Sequence, residues 1–117
     1  MKRRIDAQLN DGFLNYGVIV TERDSQTKAK KGEAFQTRGS LAFSFESIRQ
    51  QDTEVYSTNE TTLDLKVKTY YTSGLTKSHK VLLENETYSI IQMDPTKDRR
   101  YIYWYLMKVG EFNGNVE

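Results

Sequence analysis

From Arg99 to Val109 the chain is apolar or aromatic on both sides of a two-residue period. Tyr101, Tyr103, Tyr105, Met107 and Val109 share one side; Ile102, Trp104, Leu106 and Lys108 share the other. Such a run reads as a β-strand, because successive strand side chains point to opposite faces. An antiparallel sheet with one wet face alternates apolar with polar residues. A strand apolar on both faces is expected to be covered on both, by a second layer of its own fold or by another subunit. In a chain of 117 residues a subunit contact is the expected cover for the Tyr101, Tyr103, Tyr105 and Met107 side. Ile102, Trp104 and Leu106 are expected to point inward.

The rest of the chain repeats the β signal. Val81–Leu83 and Thr87–Met93 flank Glu84-Asn85-Glu86 and read as a tight hairpin centred on Asn85. Thr61–Tyr71 alternates Leu63, Leu65 and Val67 against Asp64, Lys66 and Lys68, the pattern of a half-buried strand. Tyr16–Arg23 and Phe35–Phe45 read as two strands joined by a long basic hairpin loop. Thr72–Ser78 and Asp94–Asp98 read as turns. Residues 2–12 carry Ile5 and Leu9 one turn apart and Gly12 as a stop, enough for a short helix that docks or frays. The expected fold is therefore mainly all-β, a small antiparallel barrel or sandwich with a long loop and room for a short helix. One domain spans residues 1–117: a tail or short helix over 1–15, the β body over 16–111 and a flexible tail over 112–117.

One segment departs from this pattern. Glu46, Ser47, Ile48, Arg49, Gln50, Gln51, Asp52, Thr53, Glu54, Val55 and Tyr56 open a polar stretch running to Asn59. It reads as a short helix or an exposed loop, and a connection this long in a compact domain is usually functional or disordered.

Chemistry finds little to work with. The chain has no cysteine and one histidine, His79, so a thiolate metal site or a His-based nucleophilic triad lacks its parts. Asp94 with Asp98, and Asp52 with Glu54, are the carboxylate pairs worth testing; both sit in turn or loop sequence. The glycines are scattered and form no phosphate-binding loop. No catalytic, metal or cofactor-binding residue is expected, and no cofactor. Formal net charge is +1, without the basic excess of a typical phosphate-gripping domain. Local clusters occur at Lys2–Arg4 and Lys28–Lys31, and read as solvated tail and hairpin tip. Arg99 and Arg100 beside Tyr101, Tyr103 and Trp104 leave a single-stranded nucleic-acid platform as an alternative function. The basic N-terminus is followed by no apolar run, so no export is expected, and no stretch approaches the ~18 apolar residues of a membrane span. The Asn59 and Asn85 sequons then read as ordinary turn residues.

The order of elements resembles the head–tail joining (head-closure, stopper or head–tail adaptor) proteins of long-tailed bacteriophages. The resemblance covers roughly residues 16–111 and rests on spaced positions: Val81, Asn85, Tyr88, Ile90, Arg99, Leu106 and Glu111. Where that family often has Ile-Arg-Tyr before the glycine-bearing loop, this chain has Val67-Lys68-Thr69, so no role for that arginine carries over. The resemblance implies a small antiparallel barrel working as a virion structural protein, made in the host cytoplasm. It implies a homo-oligomeric ring of about twelve subunits stacked against portal and adaptor proteins. That ring retains packaged double-stranded DNA without reading its sequence, and tail proteins dock on it. It also implies a loop projecting into the channel, and residues 46–59 are the candidate. On that reading, deleting Gln50–Glu54 leaves the barrel folded and releases DNA. A tail-completion or tail-terminator ring protein is the nearest alternative.

Overall fold

The computed structural model describes residues 9–23 and 25–117, with Lys30 and Lys31 described by backbone alone. The helix expected over 2–12 falls mostly outside the described residues. Gly12, expected as its stop, instead opens the first strand.

Among the described residues seven strands and one helix follow in chain order: β1 Gly12–Arg23, β2 Lys30–Phe45, α1 Gln50–Tyr56, β3 Leu65–Tyr70, β4 Lys80–Leu83, β5 Glu86–Pro95, β6 Tyr101–Glu111 and β7 Asn115–Val116. The sheet runs β1-β4-β5-β6-β3-β2-β7, and β1 also pairs with β2. That last pairing closes the six antiparallel strands β1 to β6 into a barrel, one of the two architectures expected from the sequence. Closure removes the free edges that an open sheet of this size would present.

The barrel interior is filled from the alternating positions of each strand. Leu14, Phe43, Val67, Val81, Leu83, Tyr88, Ile90, Ile102, Trp104 and Leu106 form one buried cluster. Ile102, Trp104 and Leu106 thus point inward, as the last strand's pattern suggested. Trp104 is fully buried, and its indole N–H donates to Thr69 Oγ1 at 2.9 Å. A hydroxyl on the neighbouring strand, diagonal to the tryptophan, satisfies the one polar atom a buried indole carries.

The strand pairs carry four register shifts, and one of them changes which residue reaches that core. Ile90 faces Leu106 and Gln92 faces Tyr105, so Ile91 is an extra residue in β5. Strict alternation from Tyr88 and Ile90 would send Gln92 inward; the bulge sends Met93 there instead, packed against the cluster. In β2 Arg38 is extra between the Tyr16–Gly39 and Gly17–Thr37 pairs. The β4–β5 turn places Glu84 and Asn85 both at positive φ (52° and 66°), the two-residue turn whose twist matches a hairpin.

β1 meets β4 only at Asn15–Gly17, and β2 meets β3 only at Phe43–Phe45. Residues 18–23 and 30–37 therefore pair only with each other and with β7, and extend beyond the barrel as an arm. The radius of gyration is 16.4 Å, against about 13 Å for a compact chain of this length. The terminal segment expected as a flexible tail is bound along this arm. Asn115 and Val116 run parallel to Ala34 and Phe35, and Phe112 sits edge-on to the buried Phe35 ring at 6.1 Å. Glu117 closes the arrangement, donating its N–H to Phe35 and accepting from the Thr37 N–H.

Candidate functional site

The outer face of the β3–β6 pair carries the densest chemistry of the molecule. Register sets Lys66 opposite Tyr105, Lys68 opposite Tyr103 and Tyr70 opposite Tyr101. Lys66 Nζ lies 5.2 Å and 5.3 Å from the Tyr103 and Tyr105 ring centres, and Lys68 Nζ lies 4.9 Å and 5.6 Å from those of Tyr101 and Tyr103. Each ammonium thus rests between two aromatic faces, where the ring quadrupole attracts it. Tyr70 continues the ladder by stacking on Tyr101 at 5.6 Å.

The helix packs over one end of this ladder. Tyr56 stacks on Tyr105 with ring centres 4.3 Å apart, and Asp52 Oδ2 meets Lys66 Nζ at 2.9 Å. Arg49 donates its backbone N–H to the same carboxylate at 3.0 Å, and its guanidinium reaches the other oxygen at 3.5 Å. Ser57 Oγ accepts the Leu63 N–H and anchors the chain leaving the helix. Burial alone would raise the Asp52 carboxyl; the hydrogen bonds from the Arg49 backbone, Lys66 and the Arg49 side chain outweigh it and hold the pKa at about 2. The Tyr105 phenol is pushed up to about 12, by its burial first and by the Asp52 charge second.

These contacts revise two expectations. Tyr105 is only 4 % exposed, and its cover is α1 of the same chain, so it is not available as a subunit contact. Tyr101, Tyr103 and Met107 keep partial exposure beside it. Lys66, expected on the wet face of a half-buried strand, is 5 % exposed because the same helix covers it. Segment 46–59 is accordingly not a free loop. Asp52 anchors it, while Ser47, Ile48, Arg49, Gln50, Gln51, Thr53, Glu54 and Val55 are exposed, Glu46 and Tyr56 partly so.

An open cleft of about 460 Å³ lies where the segment leaves the barrel, lined by Phe45, Glu46, Ser47, Arg49, Lys66, Asp94, Tyr103 and Tyr105. It brings together residues from the two expected sets, the 46–59 segment and the outer side of the last strand. Lys66 and Lys68 were not singled out as site residues from sequence, and Asp94 was singled out only as half of a carboxylate pair with Asp98. The one signal available was their place in register opposite tyrosines, and register is not visible before the strands pair.

The carboxylate pairs do not converge on shared chemistry. Asp52 is bound into the ion pair while Glu54 is exposed and accepts from the Gln50 amide. Asp98 accepts from the Thr96 hydroxyl and the Arg100 N–H, which hold its carboxyl below the usual range. His79 Nδ1 faces the Thr76 N–H at 3.2 Å, and its ring sits edge-on to Tyr16. Among the described residues no group of three or more His, Cys, Asp or Glu is placed to hold a metal. No described helix is long and apolar enough to cross a membrane.

Six of the seven positions behind the phage-family resemblance are core or turn positions, and the seventh, Glu111, is exposed at the end of β6. Val81, Tyr88, Ile90 and Leu106 are buried, while Asn85 and Arg99 occupy turns at positive φ. No protein-family model matches the chain, and neither does any curated protein.

Proposed function

We propose that this chain is a structural subunit of a phage head–tail connector, a ring that closes the DNA-filled capsid and receives the tail. The observation that carries this reading is a closed barrel with two fixed appendages. A barrel without internal free edges makes its associations through what projects from it. Here those are the arm of β1, β2 and β7 and the segment pinned by Asp52 and Lys66. The arm reaches beyond the domain's own core, a shape suited to lying against a neighbouring subunit. The exposed Gln50, Gln51, Thr53 and Glu54 offer a polar, weakly charged surface to a DNA channel, where contact without sequence reading is required.

The test is electron microscopy of particles arrested before tail attachment, with the protein tagged at its C-terminus. Density for the tag at the portal vertex, with DNA retained, is the expected result. A tag found only on free tails assigns the protein to tail completion instead, and a tag absent from both particles and tails overturns the proposal.

A further inference from the structure

The tyrosine–lysine ladder is not uniform along its length. At the end covered by α1, Lys66 meets Asp52, Lys68 approaches Glu46 at 4.0 Å, and Asp94 lies opposite Tyr103. At the other end the aromatic surface opens. Tyr70 is 54 % exposed and Tyr71 is 36 % exposed. The turn before β6 brings two guanidinium groups to these rings, Arg100 at 5.6 Å from the Tyr101 centre and Arg99 at 5.8 Å from that of Tyr71. The turn is fixed by its own hydrogen bonds. The Thr96 N–H donates to the Tyr101 carbonyl and the Arg99 N–H to the Thr96 carbonyl, with Arg99 at φ 55°. Arg99 Nη1 also donates to the Tyr71 hydroxyl at 3.3 Å. Trp104, the ring that sequence placed in such a platform, is buried in the barrel and takes no part.

We infer that this end of the β3–β6 face is a binding site for single-stranded nucleic acid, in which a base stacks on Tyr70 over Tyr101 while Arg99 and Arg100 contact backbone phosphates. Single strands are held by this combination of exposed aromatic faces and adjacent cations, and stacking tolerates any base. Tyr101 serves as the underlayer: Tyr70 stacks on it, and Lys68 and Arg100 lie within 6 Å of its ring centre. The site is independent of the ring reading, since the free chain binds without any particle.

The experiment is fluorescence anisotropy with a labelled oligothymidylate about 15 nucleotides long, at about 50 and about 200 mM salt. Saturable binding that weakens with salt is expected. Tyr70→Ala should weaken it about tenfold while Tyr70→Phe retains it, because the ring face and not the hydroxyl makes the contact. The double substitution Arg99→Ala, Arg100→Ala should lower the salt slope by about 1.4, two phosphate contacts on a single strand. Thermal melts of each variant confirm that the barrel is intact. No binding by the unaltered protein at the lower salt overturns the proposal, as does equal binding by Tyr70→Ala. Self-association lost in Tyr70→Ala, without oligonucleotide binding, also overturns it and makes the patch a contact between copies.

Discussion

Lys66 Nζ and Asp52 Oδ2 are 2.9 Å apart, and each side chain is 6 % exposed. This pair joins the short helix to the barrel wall, and it changes how segment 46–59 can be altered. Deleting Gln50–Glu54 removes Asp52 and leaves a buried ammonium without its partner, so that deletion damages the barrel as well as any channel function. Asp52→Ala should destabilise the protein by about 3 kcal/mol, the usual cost of orphaning one member of a buried pair. The double variant Asp52→Leu, Lys66→Met should recover most of that loss. Urea unfolding of the two singles and the double measures the coupling; additive losses would show that the pair does not act as a unit.

The same carboxylate makes stability depend on acid. Its pKa is held at about 2 in the folded chain against 3.8 for a free aspartate side chain, so the folded pKa is depressed. The contribution is complete above pH 3.8, and is lost as pH falls through about 2. Its size is on the order of 2 kcal/mol. Unfolding free energy measured across this window should fall less steeply for Asp52→Asn than for the unaltered chain.

Thr69→Val keeps the shape and favours strand structure, yet it removes the acceptor of the Trp104 N–H. A loss of about 1–3 kcal/mol is expected from the buried, unsatisfied indole. The near-ultraviolet tryptophan signal should be preserved, since the ring stays in place. A neutral or stabilising result would indicate that the hydrogen bond contributes nothing net.

Gly39 lies against the Tyr16 ring, and an added Cβ would fall within contact distance of its hydroxyl and ring carbons. Gly39→Ala should destabilise the protein, and Tyr16→Leu in the same chain should relieve part of the clash. Gly17→Ala has no such rescue, because its Cβ would meet the Gln36 backbone carbonyl. Thermal melts of the two single variants and the Gly39→Ala, Tyr16→Leu double separate a side-chain obstacle from a backbone one.

The isolated chain is expected to be monomeric or weakly associating, with the ring templated by the partner beneath it. Barrel closure and the burial of Tyr105 under α1 leave the core complete within one chain. Sedimentation that finds a stable ring of the protein alone would count against templating.

Period-two alternation determined much of this molecule. It placed the bodies of β1 to β6, the Asn85 hairpin and the inward Ile102, Trp104 and Leu106, because each depends on local geometry and on which side chains leave water. The sequence also marked residues 46–59 as different in kind, from composition alone.

Tertiary structure decided the rest, for reasons of pairing and packing. The bulge at Ile91 exchanges Gln92 for Met93 at the core, and no local rule announces an extra residue in a paired strand. Both faces of the last strand are apolar, and sequence alone offered another subunit as the cover for the outer one. The chain covers Tyr105 itself, with a helix held by Asp52 and Lys66, two residues 14 positions apart. A period shows that a face must be covered; only the folded chain shows what covers it.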